Sequence, residues 1–299
     1  MEETIRRLAA IDVGSNAVRL VIGRIYNDDK GRYLKREASY RVPLRLGDDV
    51  FGTGIISSAK VDQMVVVFQA FQNLLTFFAP LAIRACATSA MREAGNGPLV
   101  AETLLKRTGI SLETVSGKYE AQLLFANQLE ENDFDRTKAY LFIDVGGGSM
   151  ELTLMTQGKV VASDSFRVGT VRTLQGKVTD IELERMRQWI AQLPKVSGEV
   201  MAIGTGGNIG KIYDLSSHES DDHRISRKSI KDVLTRLESF SFEDRIRKIG
   251  LKPDRADVIV PAGRIYNQVM KLADIKDMVV PKVGVSDGIL QEMFLQVQP

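Results

Sequence analysis

Two short segments of the chain join an aspartate to small and hydroxylated residues at the end of an apolar run. They are Asp12-Val13-Gly14-Ser15-Asn16 and Asp144-Val145-Gly146-Gly147-Gly148-Ser149. Glycine lets a backbone approach an anion closely, and successive peptide N–H groups can then point at it. An aspartate repels phosphate, so its use at such a turn is to hold a divalent cation such as Mg2+, directly or through water. Asp12 and Asp144 are then metal-side residues, and Gly14, Ser15, Asn16, Gly146, Gly147, Gly148 and Ser149 cradle phosphate. A single copy of the pattern is more often a plain tight turn. Two copies in matching contexts favour phosphate, and two facing loops would form a cleft between domains, where ligand sites often lie.

Other segments add candidates. Glu151 lies two residues after Ser149 and shares its face along a strand; it either binds metal or positions a water, or is a surface charge on a hairpin. Glu120 falls in the first turn of a helix, after Ser116-Gly117-Lys118-Tyr119. The helix dipole favours an acid there, and with Gly117 as N-cap the arrangement resembles a cap, so pattern alone reads Glu120 as structural before catalytic. Ala87-Thr88-Ser89-Ala90-Met91-Arg92 follows a buried strand. Its hydroxyls and guanidinium suit phosphate, and Ser89 capping a short helix explains it equally well. Gly204-Thr205-Gly206-Gly207-Asn208 stands between a strand and a helix, whose N-terminus is a ready anion site, so Gly206 and Gly207 join the phosphate candidates. It is neither a Walker A loop nor a dinucleotide fingerprint in a first βα unit. His218 and His223, with aspartates nearby, have metal-binding chemistry, but their very polar stretch reads as a solvated loop.

The apolar pattern supplies the elements that position these residues. Runs at Leu8 to Val13, Val18 to Ile25 and Tyr33 to Val42, split by glycine turns, predict antiparallel strands. Ser57-Ser58 opens a helix through Phe78 with Val61, Met64, Val65, Phe68, Phe71, Leu74 and Leu75 on one stripe. A strand at Leu81 to Cys86, a helix closed by Gly109, a strand at Ile110 to Val115 and a helix from Gly117 follow. After a polar junction near residues 130–138 the opening pattern returns with strands at Tyr140 to Val145, Leu152 to Met155 and Val160 to Phe166. A repeat at about 130 residues marks two similar domains rather than a solenoid. The expected division is 1–133 and 134–299. The second half continues with a helix near 180–193, a strand at Val200 to Ile203, mostly helix over 226–272, a strand at Lys276 to Val280 and a last helix from Val285.

Composition excludes several classes. The 299 residues are 44% hydrophobic and 26% charged, with a net charge of +2. Such a balance gives no general attraction to DNA, so a polyanion would need local clusters of Lys and Arg. The one cysteine, Cys86, forbids an intrachain disulfide. The longest apolar stretch, Leu74 to Ile83, is far short of the roughly 20 residues of a membrane span. The acidic opening residues do not resemble a signal peptide, and a cytoplasmic protein is expected. The sequence leaves monomer and homodimer both open.

Taken together, these motifs resemble the exopolyphosphatase/guanosine pentaphosphate phosphatase family of the actin-like superfamily, in its short two-domain form. The similarity runs through the Asp12 loop, the Ala87–Arg92 segment, Ser116-Gly117-Lys118-Tyr119-Glu120-Ala121 and Asp144 to Glu151. Arg167-Val168-Gly169-Thr170-Val171-Arg172 and the Gly204 turn follow in the family's order. The resemblance implies two actin-like (RNase H-like) α/β domains with a cleft between them, the final helix at about 285–299 packing back on the first. It implies a Mg2+-dependent hydrolase that releases the terminal phosphate of polyphosphate. Glu120 inherits the role of general base, Glu151 a metal or water-positioning role, and Arg92 phosphate binding. Guanosine penta- or tetraphosphate or NTP as substrate, and a non-catalytic alarmone sensor, are the alternatives. Three departures stand out. Tyr119-Glu120 replaces the two acids of many members, and Ser286-Asp287-Gly288 replaces their Arg-Glu-Gly. An additional helical domain linked to long polyphosphate is not matched, which suggests short chains or nucleotides. Arg41, Arg45, Lys211, Arg255 and Arg264 are candidate contacts for further phosphates.

Overall fold

Each acidic turn sits where a buried strand gives way to an antiparallel neighbour. A computed structural model describes the chain except residues 1–4, 30, 129–134, 136, 197, 217–222, 282 and 298–299, and the side chains of 124–128. His218 and most of the polar junction near 130–138 lie outside the described residues. The chain divides into two units, Met1–Glu131 with Val285–Pro299, and Asn132–Gly284.

The first unit opens with β1 (Arg6–Val13), β2 (Val18–Asp28) and β3 (Gly31–Val42). Then come α1 (Leu46–Thr53), α2 (Ser58–Phe78), β4 (Ala82–Ala87), α3 (Ser89–Glu93), α4 (Gly97–Thr108), β5 (Leu112–Thr114) and α5 (Gly117–Gln128). The chain's last helix, α13 (Val285–Gln296), completes the unit. The sheet order is β3-β2-β1-β4-β5, with β1 antiparallel to β2 and parallel to β4. Ser57 caps α2 by accepting from the Lys60 N–H, and α2 buries Met64, Val65, Phe68, Phe71, Leu75 and Phe78. Leu8, Ala10, Val21 and Ile25 pack with Ile289, Leu290, Met293 and Phe294 of α13 and with Leu123 of α5. Burying each such large side chain contributes roughly 1.5–3 kcal/mol before entropy is counted.

The second unit repeats the plan. Its elements are β6 (Ala139–Val145), β7 (Met150–Thr156), β8 (Lys159–Phe166), α6 (Thr170–Leu174), α7 (Asp180–Ala191), β9 (Val200–Thr205) and α8 (Gly207–Leu215). After these come β10 (Arg224–Ser226), α9 (Arg227–Glu238), α10 (Phe242–Arg247), α11 (Pro253–Ala256), α12 (Ile259–Leu272) and β11 (Asp277–Val279). The order β10-β11-β9-β6-β7-β8 places β6 between antiparallel β7 and parallel β9, as β1 lies between β2 and β4. Leu141, Ile143, Leu152, Ile209, Ile212 and Val269 share its core. Among the described residues, no helix is long and apolar enough to cross a membrane.

Helices α5 and α13 meet backbone to backbone. A Cβ on Gly288 would lie 2.1 Å from the Leu123 carbonyl oxygen, so only glycine fits without separating the helices. Gly288→Ala is expected to destabilise the protein by about 1–3 kcal/mol, the usual cost of overpacking, measured by denaturant unfolding. An unchanged midpoint would mean that the two helices do not pack this closely.

Candidate functional site

The glycine turns of the two units share one geometry. Gly14 N–H donates to the Ala17 carbonyl at 3.0 Å, and Gly146 N–H to the Ser149 carbonyl at 2.9 Å. In the second unit the loop carbonyls are all committed to one side. Gly146 O accepts from Thr170 N–H, Gly147 O from the Val171 and Arg172 N–H groups, and Gly148 O from Arg172 Nε at 2.7 Å. Among the described residues there are no cis peptide bonds. In a trans peptide the N–H opposes the preceding C=O, so the N–H groups of Gly147, Gly148 and Ser149 face away from α6, as an anion cradle requires. The first unit does the same on a smaller scale. Ser15 O accepts from Gly47 N–H and Asn16 O from Arg45 N–H, which turns the Asn16 and Ala17 N–H groups away from α1.

The side chains behind the turns differ between units. Asp144 and Glu151 are directly opposed cross-strand partners on β6 and β7. Opposed like charges destabilise a sheet, and a cation between them removes the penalty. Asp144 is 9% and Glu151 3% exposed. Burial pushes the Asp144 carboxyl up, opposed by the hydrogen bond from Thr205 Oγ1 at 2.7 Å. Glu151 Oε1 accepts from Ser149 Oγ at 2.7 Å and Ser165 Oγ at 2.8 Å. Two hard carboxylates in one register suit a hard divalent cation. The residue opposite Asp12, by contrast, is Arg19, whose own neighbour across β3 is Arg41. Asp12 therefore shares its row with arginine rather than a second acid.

Gly206 stands at the N-terminus of α8 with φ 100°, a left-handed conformation that glycine adopts freely. A Cβ there would come within 3.3 Å of Asp144 Oδ1, so the third glycine turn borders the acid pair. Gly207 lies against the Arg255 guanidinium, which a Cβ would approach to 2.9 Å. Tyr266 of α12 locks the two strand ends together: its hydroxyl donates to Thr205 O at 2.5 Å and accepts from Val145 N–H at 3.2 Å. Burial, then nearby Asp144, holds its phenol well above the ordinary range. Nothing in the sequence around Tyr266 marks it out; it has the pattern of any apolar helix face.

In the first unit, Ser15 Oγ and Ser89 Oγ are 2.8 Å apart, so the Ala87–Arg92 segment is tied to the first glycine turn. The short helix α3 exists, but Ser89 is its first residue rather than its cap. Arg92 Nη1 donates to Val115 O at 2.7 Å and stands 3.9 Å from Glu120 Oε2. Glu120 is 6% exposed. The cap of α5 differs from the sequence expectation: Ser116 Oγ, not Gly117, accepts from Tyr119 N–H. A hydroxyl there satisfies a donor that glycine cannot. Of the arginines proposed for further phosphates, Arg45 pairs with Asp48 at 2.6 Å and Arg264 with Glu238 at 2.9 Å.

Comparison with known proteins agrees on one relationship. The profile of the Ppx/GppA phosphatase family matches residues 25–297, starting downstream of the first glycine turn. Exopolyphosphatase 2 of Mycobacterium tuberculosis is 27% identical, over 95% of this chain and 97% of that protein. The bifunctional 3-dehydroquinate synthase/phosphatase of Fusobacterium nucleatum is 23% identical over 88% of this chain, an alignment that covers 43% of that longer protein. The crystal structure of an exopolyphosphatase from Cytophaga hutchinsonii superposes with a TM-score of 0.80 at 19% identity, over 98% of this chain and 99% of that one. At that identity the likeness speaks for the fold alone, the mixed α/β arrangement described above.

Proposed function

Because the chain belongs to the Ppx/GppA phosphatase family, we propose that it releases the terminal phosphate of short inorganic polyphosphate chains by attack of water. The observation that carries this reading is the buried, register-matched pair Asp144 and Glu151 beside a loop whose amides turn one way. An acid pair with an amide cradle suits a metal-bound phosphate and little else.

Glu120 is the general base. It orients the water and takes its proton as the bond to phosphorus forms and the phosphoanhydride bond breaks. Gly146, Gly147, Gly148, Ser149, Gly206, Gly207 and Arg92 are assigned to the phosphoryl oxygens, as are Gly14, Ser15 and Asn16. Transfer through a loose transition state depends mainly on such positioning and charge neutralisation. A divalent cation on Asp144 and Glu151, with Asp12 as a further contact through water, would neutralise charge on the phosphoryl oxygens.

The test is phosphate release from triphosphate-length chains, long polyphosphate, guanosine pentaphosphate and ATP, each with and without Mg2+. Short chains are expected to turn over fastest and only with the metal. Faster release from guanosine pentaphosphate would transfer the function to the nucleotide. Tight nucleotide binding without any release would make the protein a sensor.

A further inference from the structure

The residue immediately before Glu120 anchors the first turn of α5 from outside the helix. Tyr119 OH donates to Glu292 Oε2 of α13 at 2.5 Å, and Arg84 Nη1 of β4 donates to the same oxygen at 2.6 Å. The Arg84 guanidinium also lies over the Tyr119 ring, 5.4 Å from its centre, and its other edge binds Glu113 of β5 at 3.0 Å. One half-buried node thus joins β4, β5, α5 and α13. Four residues further along α5, Leu123 touches Gly288 of α13 through its backbone carbonyl. The node and this contact fix α5 against α13 at two points, which sets its rotation about its own axis.

That rotation matters because neighbouring side chains on a helix diverge by about 100°. With Tyr119 held on α13, the Cα–Cβ bond of Glu120 has one direction. A carboxylate stands about 6 Å from the helix axis, so a 10° rotation moves it by about 1 Å. Catalytic groups need placement to roughly 0.5 Å and 10–20°, and a misplacement of about 1 Å can cost about 100-fold. First turns of helices also fray unless tied down.

We propose that Tyr119, clamped by Glu292 and Arg84, is a positioning residue that sets the orientation of the Glu120 carboxylate. The proposal rests on Glu120 being the base. Its hydroxyl is engaged by Glu292 and its ring by Arg84.

The test is a cycle of Tyr119→Phe, Glu120→Gln and the double variant, assayed on triphosphate-length polyphosphate with Mg2+, with Glu292→Gln as an independent break of the same node. Tyr119→Phe is expected to lower kcat about tenfold with KM within twofold, and Glu292→Gln to lower kcat in the same way. In the Glu120→Gln background Tyr119→Phe should have no further effect, because no base remains to be aimed. The same tenfold loss in both backgrounds would make Tyr119 a general structural residue and overturn the proposal, as would wild-type kcat in both Tyr119→Phe and Glu292→Gln. Wild-type turnover in Glu120→Gln alone is a different failure: it removes the base, and with it the mechanism proposed above.

Discussion

Glu120→Gln is expected to lower kcat by about 10²–10⁴-fold while KM changes only a few-fold. Glutamine keeps the size and most of the hydrogen-bonding capacity of the side chain, so folding and substrate contacts survive. What it loses is the ability to accept the water's proton in the transition state. An interaction made only there lowers kcat and kcat/KM together. Arg92, 3.9 Å from Glu120 Oε2, keeps its bond to Val115 O in the variant, so phosphate contact from that side persists. Steady-state release from triphosphate-length chains at saturating Mg2+ measures both constants. A variant within threefold of wild type would remove Glu120 from the chemistry, whatever its burial.

The framework of this arrangement was open to inspection in the amino-acid order. The opening antiparallel runs, their return beyond residue 139 and the stripe of α2 all form as their periodicity predicts. Each is a long segment whose local pattern and tertiary burial agree. Elements stabilised mainly by distant partners were not legible. Helix α1 starts from Arg45 in a left-handed conformation with no side-chain cap, and α6 has five residues whose first N–H groups bond to the Gly146 and Gly147 carbonyls. Neither has a side-chain cap at its N-terminus. Tyr266 is the clearest omission at the site: it acts on Val145, 121 positions away, and only the folded chain brings them together. The motif around Asp12 and that around Asp144 look alike in one dimension. Register separates them, since only the second faces another acid.

That difference in register makes Asp144→Asn the sharpest probe of the metal. The Asp144 carboxyl is raised above its usual 3.8 by burial, so ionising it costs more in the folded protein than in the unfolded chain. For a carboxyl raised in this way, the metal-free protein loses stability as pH climbs from the unfolded value through the folded one, and the loss persists above it. A bound divalent cation favours the charged form and reverses the sign, more at pH 8 than at pH 5, where protons compete. Asparagine has no charge to bury and still offers an oxygen to Thr205. In metal-free buffer the variant should therefore melt at or above the wild-type temperature at pH 8. Mg2+ at 100 times its Kd should stabilise the wild type by about 2.7 kcal/mol, or about 4 °C, and the variant hardly at all. Loss of the metal's charge stabilisation should lower kcat by about 10²–10³-fold, the equivalent of about 3–4 kcal/mol. A variant that keeps the Mg2+-dependent rise in Tm would place the ion elsewhere, because two opposed acids in a sheet are strained by each other only while nothing positive stands between them.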